Sequence, residues 1–201
     1  MPLDTAGSAV AAKRAVACNA LMRQVRTILA HEGVTPSALH ALKLKLVALA
    51  KRAELFPRGD FAMPEAQARN HVLVVDDNDG PGLYLTIGLP GKEAAPHDHG
   101  IWCVNAAISG CEQHVLWRRT DDCTKLGFAT VEKIGRVIVE PGNGFAMANH
   151  DIHSTEVLGR QPAIGLALYG YALTRFPSVV WYHPAFSSIR TLPSRRGTGA
   201  A

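Results

Sequence analysis

A chain of 201 residues with 47% apolar and 19% charged positions can bury one sizeable core and has an ordinary globular balance. It contains no run of about 18 apolar residues, which excludes a membrane-spanning helix. The formal charge is +4 and the pI about 9.0, with Arg190, Arg195 and Arg196 concentrated in a solvated tail over 189–201. That tail lacks aromatic interleaving and any recognition motif, so no nucleic-acid partner is expected.

Along the chain, the first 21 residues place Asp4 ahead of the apolar stretch and Lys13-Arg14 inside it. This is the reverse of a secretory signal, and a cytoplasmic address is the default expectation. From Ser8 to His31, Val10, Val16, Leu21, Val25 and Leu29 fall on roughly one side of a helix that Gly33 ends. Thr35 can cap a second helix with Pro36 at its first position, where a missing N–H costs nothing. Leu39, Leu42, Leu46, Leu49 and Ala53 form its apolar stripe. Both helices are amphipathic, so residues 1–69 are expected to be a helical extension covering something else.

From about Asn70 the text becomes short β-rich runs broken by Gly, Pro, Asn and Asp: VLVV, GLYLTIGL, WCVNAAI, HVLWRR, GFATVEKI, RVIVEP, GFAMA, TEVLG, AIGLALYGYAL and VVWYH. Regular short strands of this kind predict a compact β-barrel or double-sheet jelly roll over 70–188. No internal repeat interrupts it. The four cysteines, Cys18, Cys103, Cys111 and Cys123, have irregular spacing and no CxxC, so they read as free thiols.

The chemistry concentrates in GKEAAPHDHGIWCVNAAISG. His97 and His99 are two apart, a spacing that on a strand turns both rings to one face and offers adjacent sites to a metal. The full spacing is Gly91, five residues, His97, one, His99, three, Cys103, six, Gly110. It resembles the first signature of the cupin superfamily, with cysteine where glutamate is usual. In GRVIVEPGNGFAMANHDIHS, Gly135, Pro141, Gly142 and Gly144 resemble the second signature. Asn149-His150-Asp151-Ile152-His153 is similar to the second motif of the cysteine dioxygenases, which selects His153 as third ligand, with His150 in reserve.

Three further segments are similar to that family. HDHGIWCV resembles the HDHTVWGV stretch of bacterial thiol dioxygenases. Arg69-Asn70 precedes the first barrel strands, as does the arginine that clamps substrate carboxylate there. GLALYGYAL resembles the strand whose tyrosine faces the iron, which maps onto Tyr169. The serine and histidine that orient this tyrosine in the family are replaced by Gly165 and Ala167.

The resemblance implies a cupin β-barrel with an N-terminal helical layer. It implies Fe(II) on His97, His99 and His153, no organic cofactor, and oxidation of a small thiol by O2 to a sulfinate. Arg69 would bind a carboxylate, and Tyr169 and Cys103 would act in catalysis. A thioether between those two residues, as in mammalian-type relatives, is a further implication, although their cysteine stands one residue farther along. Three neutral imidazoles without a carboxylate leave a dipositive metal electrophilic and open on one face, which suits a thiolate. Glu112, Trp102 and Trp117 read as structural. The rival readings are a cupin dioxygenase cleaving a carbon–carbon bond and a non-catalytic cupin sensor. A homo-oligomer is compatible with all three.

Overall fold

The computed structural model describes residues 5–77, 80–91, 93–175 and 178–192. Helix α1 (Thr5–Glu32) and helix α2 (Pro36–Ala50) lead the chain. Thr35 caps α2 as its sequence suggests, Oγ1 accepting from Ala38 N–H at 3.1 Å. Leu39, Leu42, Leu46 and Leu49 are all buried, whereas Ala53 lies beyond the helix in a 3-10 turn. The buried stripe of α1 is Cys18, Leu21, Met22 and Val25; Val16 is 70% exposed. At 100° per residue, position 16 lies across the helix from position 18, so Val16 cannot share that stripe.

Among the described residues eleven strands follow: β1 (Ala68–Val75), β2 (Gly82–Gly88), β3 (His97–Asp98), β4 (Cys103–Ser109), β5 (Cys111–Arg119), β6 (Val131–Val139), β7 (Gly144–Met147), β8 (Ile152–Leu158), β9 (Ala163–Tyr169), β10 (Val179–His183) and β11 (Ser188–Leu192). They form two sheets with orders β1-β2-β9-β4-β7 and β11-β10-β3-β8-β5-β6, antiparallel throughout. From β2 to β10 the chain crosses to the other sheet at every step except β5–β6, which is a jelly-roll topology. Two expectations change in detail. GFATVEKI and RVIVEP merge into one strand, because Gly135 sits inside β6 beside a bulge opposite Leu116 and Trp117 rather than at a turn. Residues 189–192, assigned to the tail, pair with β10 as β11, while Arg195 and Arg196 lie outside the described residues.

Strand alternation divides the first sheet between two jobs. Leu83, Leu85 and Ile87 of β2, Leu166 and Leu168 of β9, and Val104 and Ala106 of β4 face the helices and form the larger core with α1 and α2. Cys103, Ala107, Phe145 and Met147 face the second sheet and meet Val139 from β6. Gly110 is required at the β4–β5 turn: its φ is +74°, and a Cβ there would lie 2.6 Å from the Pro162 carbonyl oxygen. The helical layer thus closes one face of the barrel, leaving the chemistry to the space between the sheets.

Candidate metal centre

β3 is only two residues long, yet it joins β10 to β8. His97 is the register partner of both Trp181 and His153. Its Nδ1–H donates to the Ala95 carbonyl at 2.8 Å, which leaves Nε2 as the lone-pair nitrogen. His99 lies just past the strand, where Asp98 accepts from the Gly100 N–H and Gly100 turns the chain at φ +70°. The convergence of His97 and His99 therefore comes from a strand end and a turn, not from simple alternation.

The three histidines present ligand nitrogens that all lie within 4.8 Å of one another. Nε2 of His99 and Nε2 of His153 are 3.2 Å apart. Two nitrogens each about 2.1 Å from a shared ion, at angles between 90° and tetrahedral, would be separated by roughly 3.0–3.4 Å. Burial depresses the basicity of all three rings: His99 falls to about 3, and His97 and His153 also move below the ordinary value. Neutral imidazoles with inward lone pairs are the donor set that a borderline transition metal takes. The chain thus has a jelly-roll fold carrying a three-histidine group able to hold a metal. His150, the reserve candidate, is elsewhere: its exposed ring pairs with Asp98 at 3.2 Å.

Cys103 and Tyr169 lie beside this group. They are register partners across β4 and β9, so their side chains leave the sheet together toward the interior. The Tyr169 ring stands 5.8 Å from that of His99 and meets Tyr84 edge-on at 6.0 Å. Burial pushes the Cys103 thiol up to about 12 and the Tyr169 phenol above its ordinary range. Both are therefore protonated in the free protein. Gly165 and Ala167 share the Tyr169 face without offering a polar group. A Cβ at position 165 would lie 2.9 Å from the Ala106 carbonyl oxygen, so a serine could not be added there without moving the backbone.

Arg69 does not belong to this site, contrary to the expectation. It is the register partner of Ile87, whose side chain is in the helix-facing core, and its Nη1 donates to the Met63 carbonyl at 3.5 Å. Asn70, one residue on, takes the interior phase opposite Thr86. A single-residue difference in strand phase puts a side chain on the other side of the sheet.

Sequence reading also missed three neighbours of the centre. Trp181 packs on His97 with centroids 4.6 Å apart. His114, buried on β5, lies 3.1 Å from His153 through their Nδ1 atoms, and Glu112 approaches the far side of His114. The alternation Glu112, His114, Leu116 on a strand was the available signal. Beyond Glu112 the interior opens into a cavity of about 70 Å³ bordered by Thr86, Asn105 and Gly165.

The sequence matches no family model and no curated protein. Among solved structures, a recombinant oxalate oxidase in complex with glycolate is 14% identical, with a TM-score of 0.42 over 59% of this chain and 56% of that one. KdgF from Halomonas sp. is 15% identical, with a TM-score of 0.41 over 58% and 94%. The Cupin_2 domain of an XRE family transcriptional regulator from Enterobacter cloacae is 18% identical, with a TM-score of 0.38 over 53% and 99%. The chain spans about half the length of the oxalate oxidase structures it matches. The fold class stands on the chain's own strand order.

Proposed function

We propose that this chain is a non-haem iron dioxygenase that converts a small thiol and O2 to a sulfinate. The observation that carries the reading is the register pair Cys103–Tyr169 beside three neutral histidines, with a thiol where related signatures carry a carboxylate. His97, His99 and His153 would hold Fe(II), which when bound supplies an electrophilic centre for thiolate and O2. No organic cofactor is invoked.

The chain's own residues do the rest. The Tyr169 hydroxyl, kept protonated by burial, can donate a hydrogen bond to the oxygen that develops charge. Trp181 and Tyr84 pack against the rings of His97 and Tyr169 and limit their movement. With Arg69 on the helical face, no carboxylate clamp is assigned, and the substrate class is a small thiol with or without a carboxylate. Purified iron-loaded protein should consume one O2 per thiol from a panel of cysteine, 3-mercaptopropionate, mercaptosuccinate and cysteamine, yielding sulfinate. Tyr169→Phe should lower turnover about 10- to 100-fold while keeping metal content. Uptake with β-diketones alone would turn the reading to carbon–carbon cleavage. Turnover with neither class would leave a binding protein.

The same register pair sets up a test by mass. Register partners on antiparallel strands have Cβ atoms about 4.5–5.5 Å apart, within reach of a thioether between Cys103 Sγ and the ring carbon beside the Tyr169 hydroxyl. Forming that bond releases two protons and two electrons, which O2 accepts. Intact mass after turnover is expected to fall by two hydrogens in the wild type and to stay unchanged in Cys103→Ser. An unaltered wild-type mass, with Cys103 open to alkylation once unfolded, would make it an ordinary strand thiol.

A further inference from the structure

The interior face of β5 carries two ionisable groups that the proposed reaction does not use. Glu112, His114 and Leu116 alternate inward, opposite Val139, Val137 and Gly135 of β6. His114 is 2% exposed. Its ring lies nearly parallel to that of His153, planes 19° apart and centroids 5.3 Å apart, and Phe145 covers it at 4.8 Å. Nδ1 of His114 lies 3.1 Å from Nδ1 of His153. Its other nitrogen, Nε2, is buried without a hydrogen-bond partner among the described residues, and lies 3.3 Å from Glu112 Oε2. That is ion-pair distance, approached off the line of a full hydrogen bond.

The proton positions follow from the direction of the chain of contacts. Nε2 of His153 faces Nε2 of His99, so with a metal there its lone pair is committed and its one proton sits on Nδ1. That N–H donates to Nδ1 of His114. The proton of His114 is then on Nε2, the nitrogen 3.3 Å from the Glu112 carboxylate. Each nitrogen in the line has one role, and the line ends on an anion. His97 is held in the same sense by the Ala95 carbonyl.

We propose that His114 and Glu112 are positioning residues for the metal, fixing the tautomer and ring angle of His153 and strengthening its Nε2 as a donor. A hydrogen bond donated from the remote nitrogen of a ligating imidazole, backed by a carboxylate, raises the basicity of the ligating one. This rests on the reading of His97, His99 and His153 as a metal site. It goes beyond it in assigning the strength of that site to two residues that touch neither metal nor substrate.

The test uses the full chain and Co(II), whose visible absorption reports the donors around it, with affinity measured by chelator competition. His114→Phe keeps the ring volume and removes both nitrogens; it should weaken Co(II) binding about 10- to 100-fold and shift the visible bands. His114→Asn places an acceptor oxygen near the position of Nδ1 and should recover affinity to within a few-fold of wild type. Glu112→Gln, which keeps size and removes charge, should lose affinity about three- to tenfold. Wild-type affinity and spectrum in a cooperatively folding His114→Phe protein would overturn the proposal. Should that variant not fold, unchanged affinity and spectrum in Glu112→Gln overturn it instead. Wild-type protein that takes up no Co(II) sinks the metal site itself, a different outcome from variants that bind as wild type does.

Discussion

The His153→Ala protein is expected to lose nearly all of its metal, whereas wild type holds about one ion per chain. His153 is 3% exposed, and its Nε2 stands 3.2 Å from that of His99, so it supplies one of the three converging donors. Structural zinc in small domains is bound by about 10–16 kcal/mol through four ligands, or roughly 2.5–4 kcal/mol for each. Removing one of three would then cost on the order of a hundred- to thousandfold in affinity. Elemental analysis after dialysis reads this directly. His150→Ala is the internal control, because that ring is at the surface on Asp98 and should leave metal content unchanged. The opposite pattern, metal kept in His153→Ala and lost in His150→Ala, would reassign the third ligand.

Acid should unfold the metal-free protein far more readily than its exposed charges alone would require. In the unfolded chain these histidines titrate near 6.5, while in the folded protein burial holds His97, His99 and His153 below that value. Their neutral folded forms are matched to the unfolded chain above pH 6.5. As pH falls below 6.5 the unfolded chain takes up protons that the folded one refuses, and stability is lost. The loss continues until the folded groups themselves titrate, at about 3 for His99. Between pH 7.5 and 5.5 His99 alone removes on the order of 1 kcal/mol, and His97 and His153 act in the same direction. This window stays above that of Asp121, whose carboxyl is held low by the Arg119 guanidinium. Urea unfolding of chelator-treated protein at the two pH values checks the size. A variant with all three histidines replaced by alanine should show a much shallower dependence, and equal slopes for the two proteins would refute the assignment.

What could be read from the chain depended on whether its signal was local. The Thr35-Pro36 start of α2 and the turn at Gly110 are decided by a few adjacent residues, and both stand where their sequence puts them. The convergence of His97, His99 and His153 was legible because two spaced motifs each carry their own turn residues. Side-chain phase was not. Arg69 and Asn70 differ by one position on an edge strand, and nothing local says which of them faces inward. His114 was overlooked for the same reason: its importance lies in pairing with β8, a strand far along the chain. Gly135 looked like a stop and is a paired strand residue beside a bulge, since tertiary pairing with β5 overrides its weak strand preference.

The brevity of β3 has a kinetic side. In the strand order of the second sheet, His97 and Asp98 connect the β10–β11 hairpin to β8, β5 and β6. Two backbone bonds flank that bridge, from Ala94 N–H to the Thr155 carbonyl at 2.7 Å and from Tyr182 N–H to the Pro96 carbonyl at 2.8 Å. Each of these contacts closes a long loop, the slow kind of event in folding, and rewards it with little ladder. The β5–β6 and β1–β2 hairpins can zip early, while the seam along residues 94–98 must wait for partners from both directions. An ion captured by His97 and His153 would fasten that seam after the hairpins have formed, so metal uptake and the final closure of the barrel become one event.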